Sequence, residues 1–153
     1  MTVVYITEIE KICSMVRTAA YRSYINGDLP VGKETPFPAG LCGWVSIVLG
    51  AVLSNEFPDE MFFYVSGKSG EMSHAWIEYY DYVIDITADQ FEEVTEEILI
   101  VRRSDSSLHT GFEIEKSARL NDEFLKHYLH YREENSIYKE YLKLKQFLRN
   151  VKL

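Results

Sequence analysis

No run in this sequence approaches the roughly 20 consecutive apolar residues that a membrane span requires. The opening MTVVYITEIEKI has neither the basic start nor the long apolar stretch of a secretion signal. Both absences lead us to expect a cytoplasmic protein with no membrane partner. Cysteine is nearly absent as well. Cys13 and Cys42 are too few for a disulfide framework and suit a reducing compartment, so each thiol needs its own explanation. Basic charge is scarce: a formal net charge of −8 argues against a nucleic-acid surface, which draws on clustered Lys and Arg. There is also no glycine-rich loop to cradle a phosphate and no basic aromatic patch.

What is present is enough apolar material for a core. With 153 residues, 46% hydrophobic and 14% aromatic, the chain predicts one compact domain carrying a helical tail. The charge divides unevenly. Residues 1–118 hold 19 acidic and 8 basic side chains, whereas residues 119–153 hold 5 acidic and 8 basic. An acidic body, 1–118, thus carries a mildly basic tail, 119–153, whose charges read either as a solvated helix face or as a surface for a protein partner.

Thr7-x-x-Glu10 has the form of a capping box, and Ile6, Ile9, Cys13, Val16 and Ala20 recur at helical spacing, which predicts a first helix over about residues 6–24. Cys13 lies on its apolar stripe as a small hydrophobe. NGDLPVGKETPFPAGL, residues 26–41, is a loop by its Gly and Pro content. CGWVSIVLGAVLSNEF then places Val45, Val48, Leu49, Val52 and Leu53 on a second, largely buried helix, with Cys42 in its first turn. MFFYVSG, HAWIEY, YVIDIT and EILIVRR read as four strands. From Asn121 the pattern turns helical, with Phe124, Leu125, Tyr128 and Leu129 on one face; Ser136 caps a further helix bearing Tyr138, Tyr141, Leu142 and Leu148. The expected class is α+β: N-terminal helices, including a central one that bears Cys42, packed on an antiparallel sheet of about four strands, followed by C-terminal helices.

A two-residue Tyr80-Asp81 turn would set Tyr79 opposite Tyr82, Glu78 opposite Val83 and Ile77 opposite Ile84. Alternation then collects Ala75, Ile77, Tyr79, Tyr82, Ile84 and Ile86 on one face, and His74, Trp76, Glu78, Val83, Asp85 and Thr87 on the other. The first is a core face. The second sets His74 diagonal to Asp85, within reach of a carboxylate–imidazole hydrogen bond. A four-residue turn keeps this parity, and a three- or five-residue turn destroys it. An aspartate so placed would select the imidazole tautomer and stabilise the imidazolium, leaving the other nitrogen free to take a proton from a nucleophile. Cys42 is the candidate nucleophile, because the N-terminus of a helix favours thiolate and its free N–H groups can hold an oxyanion. Trp44 and Trp76 are candidate walls of a substrate cleft. Taken singly, each residue also has a structural reading: His74 as a core histidine, Cys42 as a buried small residue, Asp85 as a turn carboxylate, and the tryptophans as core packing.

Together, AGLCGWVSIVLGAVL, HAWIEY and VIDITADQF, spanning about residues 38–91, resemble the transglutaminase-like branch of the papain-like thiol enzymes. The resemblance implies a Cys-His-Asp triad of Cys42, His74 and Asp85, on a central helix packed against an antiparallel sheet. It also implies acyl transfer from a peptide or carboxamide substrate without a cofactor, as in peptidases, deamidating enzymes and transglutaminases. No glutamine precedes Cys42, so the oxyanion donor that papain-type peptidases place upstream has no counterpart. The contrasting expectation is a catalytically silent module of the same fold that holds a protein partner. Metal binding is disfavoured. His127 and His130 lack a third ligand on their helix, Cys42, His74 and Asp85 lack a second Cys or His at short ligand spacing, and His109 in SDSSLHTGF reads as a polar loop residue.

Overall fold

A computed structural model of the chain describes residues 5–127, apart from 28, 30 and 33, together with the separate residues 142 and 146. The first helix, α1, spans Ile6–Ile25 and buries Ile9, Cys13, Val16 and Ala20 of the stripe that the spacing predicts, together with Ile12 and Ser23, while Ile6 is only half-buried. Its start differs in one respect. The N-cap is Tyr5, with no side-chain cap, so Thr7 lies inside the first turn and the Thr7-x-x-Glu10 capping box does not form. The second helix, α2, spans Cys42–Glu56 and is buried without interruption from Trp44 to Leu53, as its continuous apolar sequence requires.

The strands β1 (Phe63–Ser69), β2 (Met72–Tyr79), β3 (Tyr82–Asp85), β4 (Leu99–Arg102) and β5 (Glu113–Arg119) form one antiparallel sheet in the order β4-β3-β2-β1-β5. The sheet therefore has five strands where four were expected. β5 shows no apolar alternation, because nearly every one of its side chains is exposed at the sheet edge, and charged edges of this kind guard against further pairing. The expected boundary at 118/119 falls inside β5. Beyond it, Leu120 packs into the main core and Asn121 caps a short helix, α4 (Asp122–Leu125), whose Phe124 ring lies 5.7 Å from that of Tyr64. Tyr128, Leu129 and the expected helix after Ser136 lie outside the described residues.

β2 and β3 pair as the two-residue turn demands: Tyr79 with Tyr82, Glu78 with Val83 and Ile77 with Ile84. Tyr80 takes a φ of 54° in that turn, a left-handed conformation that glycine enters freely and that costs other residues about 1–2 kcal/mol. One face of the sheet packs Ile77, Tyr79, Ile84 and Ile86 against α1 and α2. The opposite face carries a second, smaller cluster of Val65, Trp76, Val83 and Phe112. Each fully buried aliphatic side chain contributes about 1.5–3 kcal/mol, so the larger cluster dominates stability.

Arg17 of α1 ties the segment after β3 to the body. Its guanidinium donates to both carboxylate oxygens of Asp89, at 2.7 and 2.9 Å, and to the Ile86 carbonyl at 2.8 Å. At the other side of the sheet, the register of β1 on β5 shifts between Ser66 and Gly67. A Cβ at Gly67 would lie 2.5 Å from the Glu113 carbonyl oxygen, which is backbone and cannot step aside. Gly67→Ala should therefore destabilise the fold by about 1–3 kcal/mol as β5 is pushed from β1. Urea unfolding followed by tryptophan fluorescence measures this, and an unchanged midpoint would mean that β5 yields without cost.

Candidate active site

Three elements converge where β2 begins. α2 brings Cys42 at its N-terminus, β2 brings His74, and β3 ends on Asp85. The start of α2 is anchored over β2 by Ser46, whose hydroxyl donates to the Ala75 carbonyl at 3.3 Å. His74 Nε2 lies 2.7 Å from Asp85 Oδ2. A nitrogen facing a carboxylate oxygen at that distance carries the proton, which leaves Nδ1 as the nitrogen for a second partner. The Cys42 thiol lies close enough to the His74 ring for each to shift the acidity of the other. Gln90 joins the group from the short 3-10 turn Ala88–Gln90: its Nε2 is 3.3 Å from His74 Nδ1 and donates to the Thr87 carbonyl at 3.1 Å.

His109 completes the arrangement, and it is not the loop residue that its surroundings in sequence suggest. It lies in a one-turn helix, α3 (Ser107–Thr110), is 0% exposed, and sets its Nε2 2.7 Å from the same Asp85 Oδ2. Ser106 caps that turn. Its Oγ accepts from the His109 backbone N–H at 3.2 Å and lies 2.5 Å from His109 Nδ1. The spacing Ser106-x-x-His109 is a cap followed by the third residue of a helical turn, and that was the available sign that SDSSLHTGF is ordered. What no local pattern reveals is the partner, 24 residues away on β3.

Asp85 is 2% exposed, yet none of its hydrogen-bonding capacity is wasted. Oδ1 accepts from the Thr87 backbone N–H at 2.9 Å and from the Thr87 hydroxyl at 3.3 Å, while Oδ2 accepts from both histidines. Burial alone pushes this carboxyl up, but the hydrogen bonds and charges of His109 and His74 override it and hold it well below the usual range. For His74, burial pulls downward, and the hydrogen bonds to Asp85 and Cys42 outweigh it, raising the ring to about 9. Burial likewise pushes the Cys42 thiol up. The His74 hydrogen bond, the His74 charge and the Ala75 backbone N–H reverse this, so the thiol ends below its ordinary value. Cys13 is the opposite case: burial, then Glu10 and Asp85, drive it up and keep it an inert thiol.

The two tryptophans are placed differently from the expected cleft walls. Trp44 belongs to the main core, and its indole N–H has no partner among the described residues. Trp76 is 0% exposed, donates to Glu78 at 2.9 Å, and packs edge-on to His109 with ring centroids 4.8 Å apart. It supports the histidines from beneath and offers no surface to a ligand. As for metals, the nearest group among the described residues is His74, Asp85 and His109, with one ligand atom of each within 4.8 Å of the others. Within that group, both Nε2 atoms are engaged in 2.7 Å hydrogen bonds to Asp85 Oδ2. Of the tail pair, His127 is described and His130 is not. No helix among the described residues is long and apolar enough to cross a membrane.

This geometry defines a buried His74–Asp85–His109 cluster on the antiparallel sheet, with the part-buried Cys42 thiol in the first turn of α2 near His74. No family model, curated protein or solved structure matches the chain.

The shifts carry signs that can be measured. Cys42 should alkylate with iodoacetamide well below the ordinary thiol value of about 8.5, whereas Cys13 should stay unmodified until the protein unfolds. Mass-spectrometric mapping across pH reads both, and equal slow labelling would contradict an activated Cys42. Asp85 is held below its unfolded value of about 3.9, so its contribution to stability is present above that pH and is lost as pH falls through the folded value. The urea midpoint of the native protein should drop steeply below about pH 4, and that of Asp85→Asn less steeply. Parallel curves would locate the acid sensitivity elsewhere.

Proposed function

We propose that the chain is a thiol-dependent acyl-transfer enzyme of the papain-like, transglutaminase-like kind, acting on a peptide or carboxamide bond. The observation that carries this reading is the 2.7 Å pairing of His74 Nε2 with the buried Asp85 carboxylate, beside a part-buried Cys42 at the N-terminus of α2 whose thiol His74 makes more acidic. Cys42, as thiolate, attacks the carbonyl carbon, and the displaced π electrons move to oxygen. The first-turn N–H groups of α2 receive no side-chain cap, so they are available to that oxyanion. His74 gives its Nδ1 proton to the departing nitrogen, the C–N bond breaks, and a thioester remains on Cys42. Water or an amine, deprotonated by His74, then attacks the thioester and releases the product and the thiolate. Asp85 keeps His74 in the productive tautomer throughout and stays ionised.

Burial supports the division of labour. His74 and Asp85 are nearly inaccessible, while Cys42 is only partly covered, so the nucleophile alone faces incoming substrate. The acidic body favours peptides that carry positive charge near the scissile bond, through long-range attraction.

The test is acyl-enzyme trapping. Incubation with a library of peptide amides and esters, followed by rapid acid quench and mass spectrometry, should show a thioester on Cys42 that hydroxylamine removes. Cys42→Ala should abolish it. Asp85→Asn should lower turnover by about 10²–10⁴ while keeping the fold, because an amide can stabilise the wrong imidazole tautomer. If Cys42 is acylated by nothing in the library and Asp85→Asn alters neither labelling nor turnover, the silent partner-binding module replaces the enzyme.

A further inference from the structure

We propose that His109 is a positioning residue for the Cys42–His74 pair: by sharing the single Asp85 oxygen that orients His74, it limits how strongly His74 holds its proton. The proposal deepens the thiol-enzyme reading and rests on it, but its physical core is the geometry at Asp85.

That geometry is unusual in one way. A catalytic carboxylate needs only one imidazole, and here two imidazole Nε2 atoms each lie 2.7 Å from Oδ2. The carboxylate cannot turn to favour either one, since its other oxygen is held by the backbone N–H and hydroxyl of Thr87. Water cannot intervene, because His74, Asp85 and His109 are all essentially inaccessible. The negative charge on Oδ2 is therefore divided between two donors. Whatever share His109 takes, as an N–H dipole or as a cation, is withdrawn from the stabilisation of the His74 imidazolium.

His109 is also rigidly held for this purpose. Ser106 engages its Nδ1 and its backbone N–H, and the Trp76 ring fixes its edge. The titratable groups facing His74 are Cys42 from α2 and Asp85 from β3. Asp85 is the one that meets the His109 ring, and Cys13 of α1, which senses Asp85 across the core, remains a neutral thiol. Gln90, beside His74, is uncharged. No other charge among these groups would mask the effect. The consequence is functional: an imidazole that holds its proton too tightly stabilises the thiolate but surrenders the proton slowly to a leaving nitrogen, and His109 moderates between the two demands.

The experiment compares the full-length protein with His109→Phe, which fills the ring volume without a donor, and His109→Gln, which restores a donor N–H. NMR titration of the His74 ring, with its signal assigned by loss in His74→Gln, is read beside the pH dependence of Cys42 alkylation. In His109→Phe the proton affinity of His74 should rise by about threefold or more, and Cys42 labelling should begin at correspondingly lower pH. In His109→Gln both should lie within about twofold of the native protein. An unshifted or acid-shifted His74 in folded His109→Phe overturns the proposal and leaves His109 a packing residue. Should His109→Phe not fold, the unaltered protein still decides: the His109 Nε2–H resonance should move when Cys42 is alkylated, and a constant resonance overturns the coupling. Failure of the thiol-enzyme reading looks different, because then native Cys42 labels no faster than Cys13 even while the two histidines remain coupled.

Discussion

A carboxylate taken out of water is costly unless donors replace the hydration it loses, and the buried Asp85 imposes that requirement on three separate parts of the chain. Thr87 answers from the bend that follows β3, His74 from β2, and His109 from α3. Removing one donor would leave a buried charge short of a partner, so the order of this region is mutual: the hairpin, the turn and the short helix each hold because the others do. The same network makes His74 basic and, through it, Cys42 acidic. Stability and reactivity thus depend on one oxygen pair.

The rest of the architecture keeps that pair in place. The main core holds α1 and α2 on one face of the sheet, which fixes the height of the α2 N-terminus above β2. The smaller cluster on the other face packs Trp76 and Phe112 around the two histidines and keeps water away from them. Arg17 spans the two regions. Its bidentate pairing with Asp89, side chains 12% and 17% exposed, anchors the turn that carries Gln90, and the Phe37 ring lies 4.8 Å from its guanidinium carbon. Planar, two-point pairing of this kind restricts rotation in a way a lysine would not.

Much of this was legible before any coordinates. The period of two in HAWIEY and YVIDIT sorted side chains between the faces, and the brevity of Tyr80-Asp81 left few registers, so the pairing of Ile77 with Ile84 followed from arithmetic. The apolar stripe of α1 and the unbroken apolar run of α2 likewise announced helices that had to be buried. β5 was illegible for the opposite reason: its side chains face solvent, and what makes it a strand is the backbone of β1 beside it. The Thr7-x-x-Glu10 pattern misled because the cap that forms depends on where the chain enters the helix, which tertiary packing of Tyr5 on Phe57 sets.

The sequence by itself therefore determined α1, α2, four of the strands, the hairpin register and the presence of Cys42, His74 and Asp85 on those elements, because each follows from periodicity and from residue chemistry at short range. Only the tertiary structure decided that Asp85 serves two histidines, that Trp44 and Trp76 are packing residues, and that Gln90 stands beside His74. Those contacts join side chains from elements that no local period connects, and they exist because burying one charge requires donors to be gathered from wherever the fold can bring them.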